Sequence, residues 1–578
     1  MKLASVDPFA YLRDRVLQAV RAAFPEVDAT DAALHRSAHA DYQADVALAL
    51  ARRLGKPPRE VATAIAQHLT VDDVLASVAV SGPGFLNLTL TNAFLNQALT
   101  QMLADERLGV PLAAPRVKVV VDYSGPNVAK EMHVGHIRST IIGDALARLL
   151  EWQGHDVIRQ NHIGDWGTPF GMLIEHLLDA RAGGADASLR ELVAFYQAAR
   201  AKFDSDPAFA DRARHRVVLL QGGDAETLAL WRKVVDVSIE HMDILYRRLG
   251  VTLGPTHVAG ESTYNADLPA VVAELQEKGL ARESEGAICV FPPGFSGREG
   301  EPVPLILRKQ DGGYGYATTD LAALRHRVLR LGATRLIYCV GAPQAQHLAM
   351  VFAVARLAGW VAPEVRLEHV AFGSVLGPDK KMFKTRAGET VRLASLLDEA
   401  CERAARTVEE KARDLDADTM RAVAEAVGIG AIKYADLSND RVKDYVFDWN
   451  RMLAFEGNTA PYLMYAHARL CSIARKAGAT DAGAASTPQI AAPAERALAL
   501  ELVQLPATIE RADEGLQPHR LCQHLFEVAQ ALTRFYEDCP VLTSEGPVRS
   551  ARLALCAVTA KVLARGLGLL GIAAPAQM

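Results

Sequence analysis

The sequence predicts a multidomain chain: a small α+β domain at the amino terminus, an α/β nucleotide-binding domain with helical insertions, and an all-α bundle at the carboxyl terminus. Three observations predict it. A β-branched run, Val117 to Tyr123, is followed by a loop, a helix-forming stretch and a second apolar run, which is the spacing of a βαβ unit. Between about 172 and 250 the periodicity is helical, with no strand signal. From Leu393 onward every periodic stretch is helical.

The chain has 578 residues, enough for several domains of ordinary size. Half of the residues are hydrophobic and 23% are charged, as in a globular protein that does not enter a membrane. The net charge of −5 does not advertise a nucleic-acid binder, but phosphate binding needs only local basic patches. The seven cysteines are odd in number and never spaced Cys-x-x-Cys, which argues against a disulfide framework or a zinc knuckle and for a reducing cytoplasm. The amino terminus is charged where a signal peptide needs an apolar run, and the apolar stretch Leu553–Ala574 is interrupted by Lys561 and Arg565.

The elements follow in order. Phe9–Phe24, Asp45–Leu54 and Pro58–Leu69 read as helices, and Ser77–Val80 and Phe85–Leu90 as strands about a Gly-Pro-Gly turn. A Pro/Ala-rich linker spans Gly109–Pro115. The strand Val117–Tyr123, a helix from Gly135 to Gln153 and the strand Asp156–Gln160 then open the second unit. Its later strands are expected at Ala287–Phe291, Leu305–Arg308, Arg335–Val340 and Glu368–Phe372. Helices only are expected after that: Ser395–Leu415, Ala422–Leu437, Pro461–Lys476, Pro493–Gly515 (kinked or split by Pro506), Arg520–Glu537 and Val548–Leu570. The domains are accordingly drawn at 1–110, 111–392 with an insertion at about 172–250, and 393–578.

The chemistry is concentrated in Asp122–Val157, where a buried strand ends, a Gly/Pro loop follows and a helix starts at His133-Val134-Gly135-His136. A helix start offers free N–H groups and the positive end of a dipole, Gly135 lets a nucleotide approach the backbone, and two histidines can donate to triphosphate oxygens. Read alone, a His-x-Gly-His is an ordinary loop and helix start. Far downstream, Lys381-Met382-Phe383-Lys384-Thr385 places two ammonium groups three residues apart on a Gly-containing loop, which is otherwise simply a solvated basic loop.

His133–His136 resembles the HIGH motif of class I aminoacyl-tRNA synthetases, and Lys381–Thr385 resembles their KMSKS motif, with Phe383 and Thr385 where serines are commoner. Ser124–Lys130, running into the HVGH, is similar to the arginyl-tRNA synthetase family specifically. So are the amino-terminal strings at Ala40–Ala62 and Ser81–Leu90, Arg441–Ile473 along nearly its whole length, and Arg534–Leu542. The resemblance covers the chain from about Phe9 to its end and implies a Rossmann-like class I catalytic domain, an amino-terminal tRNA-contacting domain and a helical anticodon-binding bundle. It implies an arginine–tRNA ligase acting on L-arginine, ATP with Mg²⁺ and tRNA(Arg), cytoplasmic and monomeric, with activation that waits for bound tRNA.

The resemblance also assigns residues. His133, His136, Lys381 and Lys384 are expected to be catalytic, and with Gly135 and Met382 to bind ATP. Tyr316 and Asp320, four apart and so about one helical turn, are expected to face one pocket and hold the arginine side chain, with Glu261 near the guanidinium and Gln344 three residues before His347. Gln346 is the alternative to Gln344, and Asp320 as a cap of its own helix is the bland alternative. Asn127 and Asp122 are expected at the polar backbone end of the amino acid. Arg52 and Arg53, beside Lys56 and Arg59, and Tyr462, His467 and Arg469 are expected to meet tRNA, the last three as stacking and phosphate groups. The tail ends Pro575-Ala576-Gln577-Met578 where the family commonly carries charges. The rival readings are a synthetase for another amino acid, a catalytically dead paralogue that binds RNA or protein, and a small nucleotidyltransferase.

Overall fold

The computed structural model describes residues 6–128, 130–167, 169–182, 192–297, 299–383, 391–411, 415–478 and 487–578. Contacts divide the chain into two compact units. One comprises Met1–Leu112, Ala404–Tyr434 and Asn450–Met578; the other comprises Ala113–Arg403 and Ala435–Trp449.

The first unit begins with α1 (Pro8–Ala23), capped by Asp7, whose carboxylate accepts the Phe9 N–H. β1 (Leu34–Arg36), β2 (Tyr42–Ala44), α2 (Val46–Leu54), α3 (Pro58–Gln67), β3 (Leu75–Ser81), β4 (Phe85–Leu90) and α4 (Asn92–Ala104) follow. The strands form an antiparallel sheet in the order β1-β2-β4-β3. The three-residue strands β1 and β2 were not expected, because three residues are too few to show alternation.

In the second unit, β5 (Lys118–Asp122), α5 (Val134–Trp152) and β6 (Asp156–Gln160) are the expected βαβ unit. The insertion is helical: α6 (Pro169–Ala182), α7 (Leu192–Ser205), α8 (Pro207–Gln221) and α9 (Ala225–Leu249). Then come α10 (Leu268–Glu277), β7 (Ala281–Ser284), β8 (Ala287–Val290), β9 (Leu305–Arg308), α11 (Tyr316–Leu329), β10 (Arg335–Tyr338), α12 (Ala345–Leu357), β11 (Arg366–His369), β12 (Val375–Leu376), α13 (Leu393–Lys411), α14 (Ala417–Leu437) and β13 (Tyr445–Val446), where the end of α13 and most of α14 belong to the first unit. The main sheet is parallel, ordered β11-β10-β5-β6. Its central strands are buried nearly throughout, as their β-branched composition requires.

Two expectations are corrected here. Ala287–Val290 and Leu305–Arg308 are strands, but they form a separate antiparallel sheet with β7. The reason is local: Glu285 and Gly286, both at positive φ, make a two-residue hairpin turn, and so short a connection forces antiparallel pairing. The stretch after Leu393 is not purely helical either, since β13 pairs in parallel with β12.

The remaining helices are α15 (Trp449–Met452), α16 (Ala460–Lys476), α17 (Pro493–Leu502), α18 (Leu505–Glu514), α19 (His519–Asp538) and α20 (Gly546–Leu569). Pro506 does split the expected long helix, sitting in the first turn of α18 where its missing N–H costs nothing. Within the first unit the amino-terminal sheet is tied to these helices by ion pairs: Arg496 to Asp41 at 2.6 Å and Arg36 to Glu501 at 3.2 Å.

Candidate functional site

The chain leaves β5 on one side for β6 and returns on the other side as β10. Where connections diverge in this way, a crevice opens beyond the carboxyl ends of the two strands. A cavity of about 290 Å³ lies there. Asp122–Gly125 line it from the end of β5 and Tyr338–Gly341 from the end of β10, with Gly135, His136 and Ser139 from the HVGH helix α5. His162, Asp320, Gln344 and His347 also line it. The backbone bends sharply into it, with Ser124 at φ 75° and Gly125 at φ 55°. Ser139 holds that bend: its Oγ accepts the Ser124 N–H at 2.9 Å and donates to the Cys339 carbonyl at 2.6 Å, joining the two strand ends.

At the phosphate-like end, the two motif histidines cap their own helix. Nδ1 of His133 accepts the Gly135 N–H at 3.0 Å, and Nδ1 of His136 accepts the His133 N–H at 3.1 Å. Each Nδ1 therefore carries a lone pair, and the proton of each neutral ring sits on Nε2. Both rings are held neutral. Burial, then the charge of Lys130, lowers the pKa of His133; burial, then His133 and Lys130, pushes His136 down to about 4. Gly135 serves the rings as well as any nucleotide, because a Cβ there would come within 2.8 Å of the His133 ring. Val134 donates to the Val391 carbonyl at 3.0 Å, so the segment after the KMFKT loop is fixed to the HVGH backbone. Lys381 and Met382 are exposed on a hairpin, and Lys384 lies outside the described residues.

A second cluster gathers carboxylates and histidines around Asp320. Asp320 on α11 accepts from His347 Nε2 at 2.6 Å and faces His162 Nε2 at 3.8 Å. His162 Nδ1 donates to the Ala259 carbonyl at 2.8 Å, since a carbonyl only accepts. Glu261 opens a 3₁₀ turn whose next residue, Ser262, is gripped through N–H and Oγ by the buried Asp165 at 2.8 and 2.6 Å. The Glu261 carboxyl is pushed up to about 7, first by burial, with Asp165 and Asp320 raising it further and His162 opposing.

The sequence-derived residues fall out as follows. His136, Gly135, Asp122, Asp320 and Gln344 line the cavity, and Gln344 rather than Gln346 is the glutamine there. Tyr316 is 67% exposed and does not line the cavity, but its ring packs on His347 at 4.6 Å. The four-residue spacing thus brings Tyr316 and Asp320 to one histidine instead of one cavity wall. Asp122 already has a partner, the buried Arg327, at 2.8 Å. Asn127 is exposed and bridges to Gly164. In the other unit, Arg52 and Arg53 are exposed. The Tyr462 hydroxyl bonds with Thr533 at 3.1 Å, and the Arg469 guanidinium lies 3.4 Å from the Tyr536 ring centre. His467 is buried at 8% exposure and bonds the Pro575 carbonyl at 3.0 Å, so it fastens the carboxyl-terminal tail and is not a surface contact. Arg475 holds the next carbonyl, Ala576, so the uncharged tail is anchored through its backbone.

Sequence reasoning missed His162, Asp165, Arg327 and Arg138. For His162 there was a signal: Gln160-Asn161-His162 is a polar run at the carboxyl end of a parallel strand, where ligand groups cluster.

Comparison with known proteins agrees along the whole chain. Residues 98–449 match the family described as class I (R) tRNA synthetases, catalytic domain; residues 463–578 match the DALR anticodon binding domain; residues 10–90 match the arginyl-tRNA synthetase N-terminal domain. The chain is 57% identical over 576 residues to the arginine–tRNA ligase of Thermobifida fusca, covering 99% of this chain and 100% of that one. It is 48% identical over 585 residues to that of a Synechococcus species, covering 99% and 100%. Among solved structures, the arginyl-tRNA synthetase of Plasmodium falciparum superposes with a TM-score of 0.86 at 27% identity, over 100% of both chains. That of Thermus thermophilus does so with a TM-score of 0.83 at 27% identity, over 99% and 100%.

Proposed function

The chain belongs to the arginyl-tRNA synthetase family, and from that premise we propose how its residues perform arginine–tRNA ligation. The reaction consumes ATP to activate L-arginine as arginyl-adenylate, then passes the arginyl group to the 3′-terminal adenosine of tRNA(Arg), releasing AMP and diphosphate. The observation that carries the assignment of parts is the make-up of the cavity wall, which combines His136 of the helix start, its Nδ1 occupied and its pKa pushed down to about 4, with the carboxylate of Asp320 on α11.

ATP lies with its phosphates against the start of α5. His133 and His136 point Nε2–H donors at the α-phosphate, where negative charge builds as the arginine carboxylate attacks in line. Gly135 and Met382 flank the nucleotide, and Lys381 and Lys384 neutralise the departing diphosphate. Catalysis is positioning plus electrostatics, with no covalent enzyme intermediate. Mg²⁺ would be carried in on the phosphates and would help to neutralise their charge. Among the described residues, the one three-ligand group of metal-binding side chains is Glu501, His524 and Glu527, in the other unit.

The guanidinium lies against Asp320 and Glu261, with Tyr316 closing from outside over His347. Gln344 and Asn127 hold the polar backbone end. Asp122, neutralised by Arg327, orients the strand end and leaves the α-ammonium to neighbouring oxygens. The division is a tRNA-contacting domain at 1–110 using Arg52 and Arg53, a catalytic domain at 111–392, and an anticodon-binding bundle at 393–578 using Tyr462 and Arg469. We place the enzyme in the cytoplasm as a monomer, as the family resemblance implies; none of the seven cysteines forms a disulfide, and among the described residues no helix is long and apolar enough to cross a membrane.

The test is ATP–pyrophosphate exchange with each amino acid, with and without total tRNA. Exchange with arginine alone, and only with tRNA present, is expected. Exchange with another amino acid would overturn the Asp320/Glu261 pocket, and no exchange under any condition would favour a binding-only paralogue.

A further inference from the structure

Phe383, which stands in the KMFKT segment where serine is commoner, is anchored by a partner 64 positions later in the chain. β12 pairs in parallel with β13, and the chain then turns back: Leu376 bridges to Met382, and the Phe383 N–H donates to the Val375 carbonyl at 3.1 Å. Gly377-Pro378-Asp379-Lys380 makes the turn, closed by Lys380 N–H to Gly377 O at 2.9 Å and Gly377 N–H to Lys381 O at 2.7 Å. At the base of this hairpin the Phe383 ring stacks on Phe447, with ring centres 4.7 Å apart and planes 25° from parallel. Phe447 is itself fixed. It is 3% exposed, its N–H donates to Leu376 O at 2.8 Å, and Trp449 meets it edge-on at 4.8 Å. The Arg403 guanidinium then covers Trp449 at 5.1 Å.

Lys381 is therefore two residues from a ring held in a built socket, on a strand hydrogen-bonded along one edge to β12, whose other edge is held by β13. A lysine on a free loop must be ordered each time it meets the diphosphate; one on a clamped strand has that entropy removed beforehand. We infer that Phe383 is a positioning residue for adenylate formation, its stack on Phe447 fixing the strand from which Lys381 reaches the leaving diphosphate. This rests on the reading of Lys381 given above. A serine at 383 cannot fill the socket and would leave the Phe447 face to water.

The experiment compares Phe383→Leu, Phe383→Tyr and Lys381→Met by ATP–pyrophosphate exchange with tRNA present, with thermal unfolding of each. An aromatic pair contributes on the order of a kilocalorie, which corresponds to a rate change of roughly three- to tenfold. Phe383→Leu, which keeps apolar volume but not the ring, is expected to lower kcat by that factor with the KM for arginine and the unfolding temperature unchanged. Phe383→Tyr should stay within about twofold of the parent. In a Phe447→Leu background, Phe383→Leu should cost little more, because the stack is already gone. Undiminished exchange in Phe383→Leu beside a crippled Lys381→Met would overturn this proposal alone. Equal losses in Phe383→Leu and Phe383→Tyr with a lowered unfolding temperature would overturn it too, as a merely structural role. Undiminished exchange in Lys381→Met would overturn the reading beneath it as well.

Discussion

The two ends of the cavity are built in opposite ways. The end we assign to phosphate is made of neighbours: His133, Gly135 and His136 hydrogen-bond to one another at one helix start, and burial shifts both rings toward the neutral form. The end we assign to arginine is assembled from four separate stretches, bringing His162, Glu261, Asp320 and His347 together from strand end, 3₁₀ turn and two helices. A donor array for phosphate needs only a helix start, which a short segment supplies by itself. A guanidinium needs acceptors on several sides of a plane, which one segment cannot supply. The difference teaches that the reactive end can be fixed by local geometry while the selective end depends on tertiary packing.

The sharpest way to break the comparison is to attack what holds the phosphate end from outside. Arg138, one turn beyond the HVGH, is buried at 1% exposure and paired with the equally buried Asp436 at 3.1 Å, and its Nη1 donates to Lys443 O at 3.2 Å. Arg138→Met leaves the Asp436 carboxylate buried without its counter-charge, with only the Tyr445 hydrogen bond remaining, at a cost of about 3–5 kcal/mol. Denaturant unfolding should show that loss, and adding Asp436→Leu should recover most of it, since a buried pair exchanged for apolar groups is close to neutral. Unfolding of Arg138→Met at the parent's midpoint would mean that the local caps alone suffice.

The next effect separates the two jobs of His136. His136→Asn keeps an oxygen where Nδ1 accepts the His133 N–H but has no group at Nε2. The helix start should survive, and kcat in pyrophosphate exchange should fall by about 10²–10³, the usual cost of one transition-state donor. His136→Gln puts an amide N–H near the Nε2 position and should recover part of the loss. Equal activity of the asparagine variant and the parent would remove Nε2 from the mechanism.

The same contrast explains what was legible in the sequence. The βαβ unit, the HVGH helix start and the long helices were readable because their determinants are local: periodicity, a β-branched strand, a Gly beside the motif. β8 and β9 were read as strands but assigned to the wrong sheet, because pairing partners are not written in the strand itself, and the four-residue β7 beside them was not read at all. Asp320, Glu261 and Gln344 were reached through family resemblance, and nothing in their own neighbourhoods marks them. His467 shows the opposite failure: its place on a helix among tyrosines and arginines suggested a surface reader, yet burial turned it toward Pro575. Arg327 was invisible because a lone arginine in a helix gives no hint that it neutralises a strand-end aspartate.

The smallest effect distinguishes the ends by pH. Glu261 is pushed up to about 7 by burial first and then by Asp165 and Asp320, against His162. Below that value the group is mostly neutral, and only its ionised form attracts a guanidinium. Arginine binding should therefore tighten as pH rises from about 6 to about 8, with a limiting slope of roughly tenfold per pH unit below the carboxyl's pKa. The bound guanidinium draws the pKa down, so binding in that range should release a proton. His136, pushed down to about 4, adds no slope across the range, and burial shifts His133 in the same direction. Calorimetry of arginine binding without ATP, in buffers of different ionisation heat, measures both slope and proton. Glu261→Gln should flatten the profile and abolish the release. A flat profile in the parent would place Glu261 outside the guanidinium's reach and leave Asp320 as the carboxylate that selects arginine.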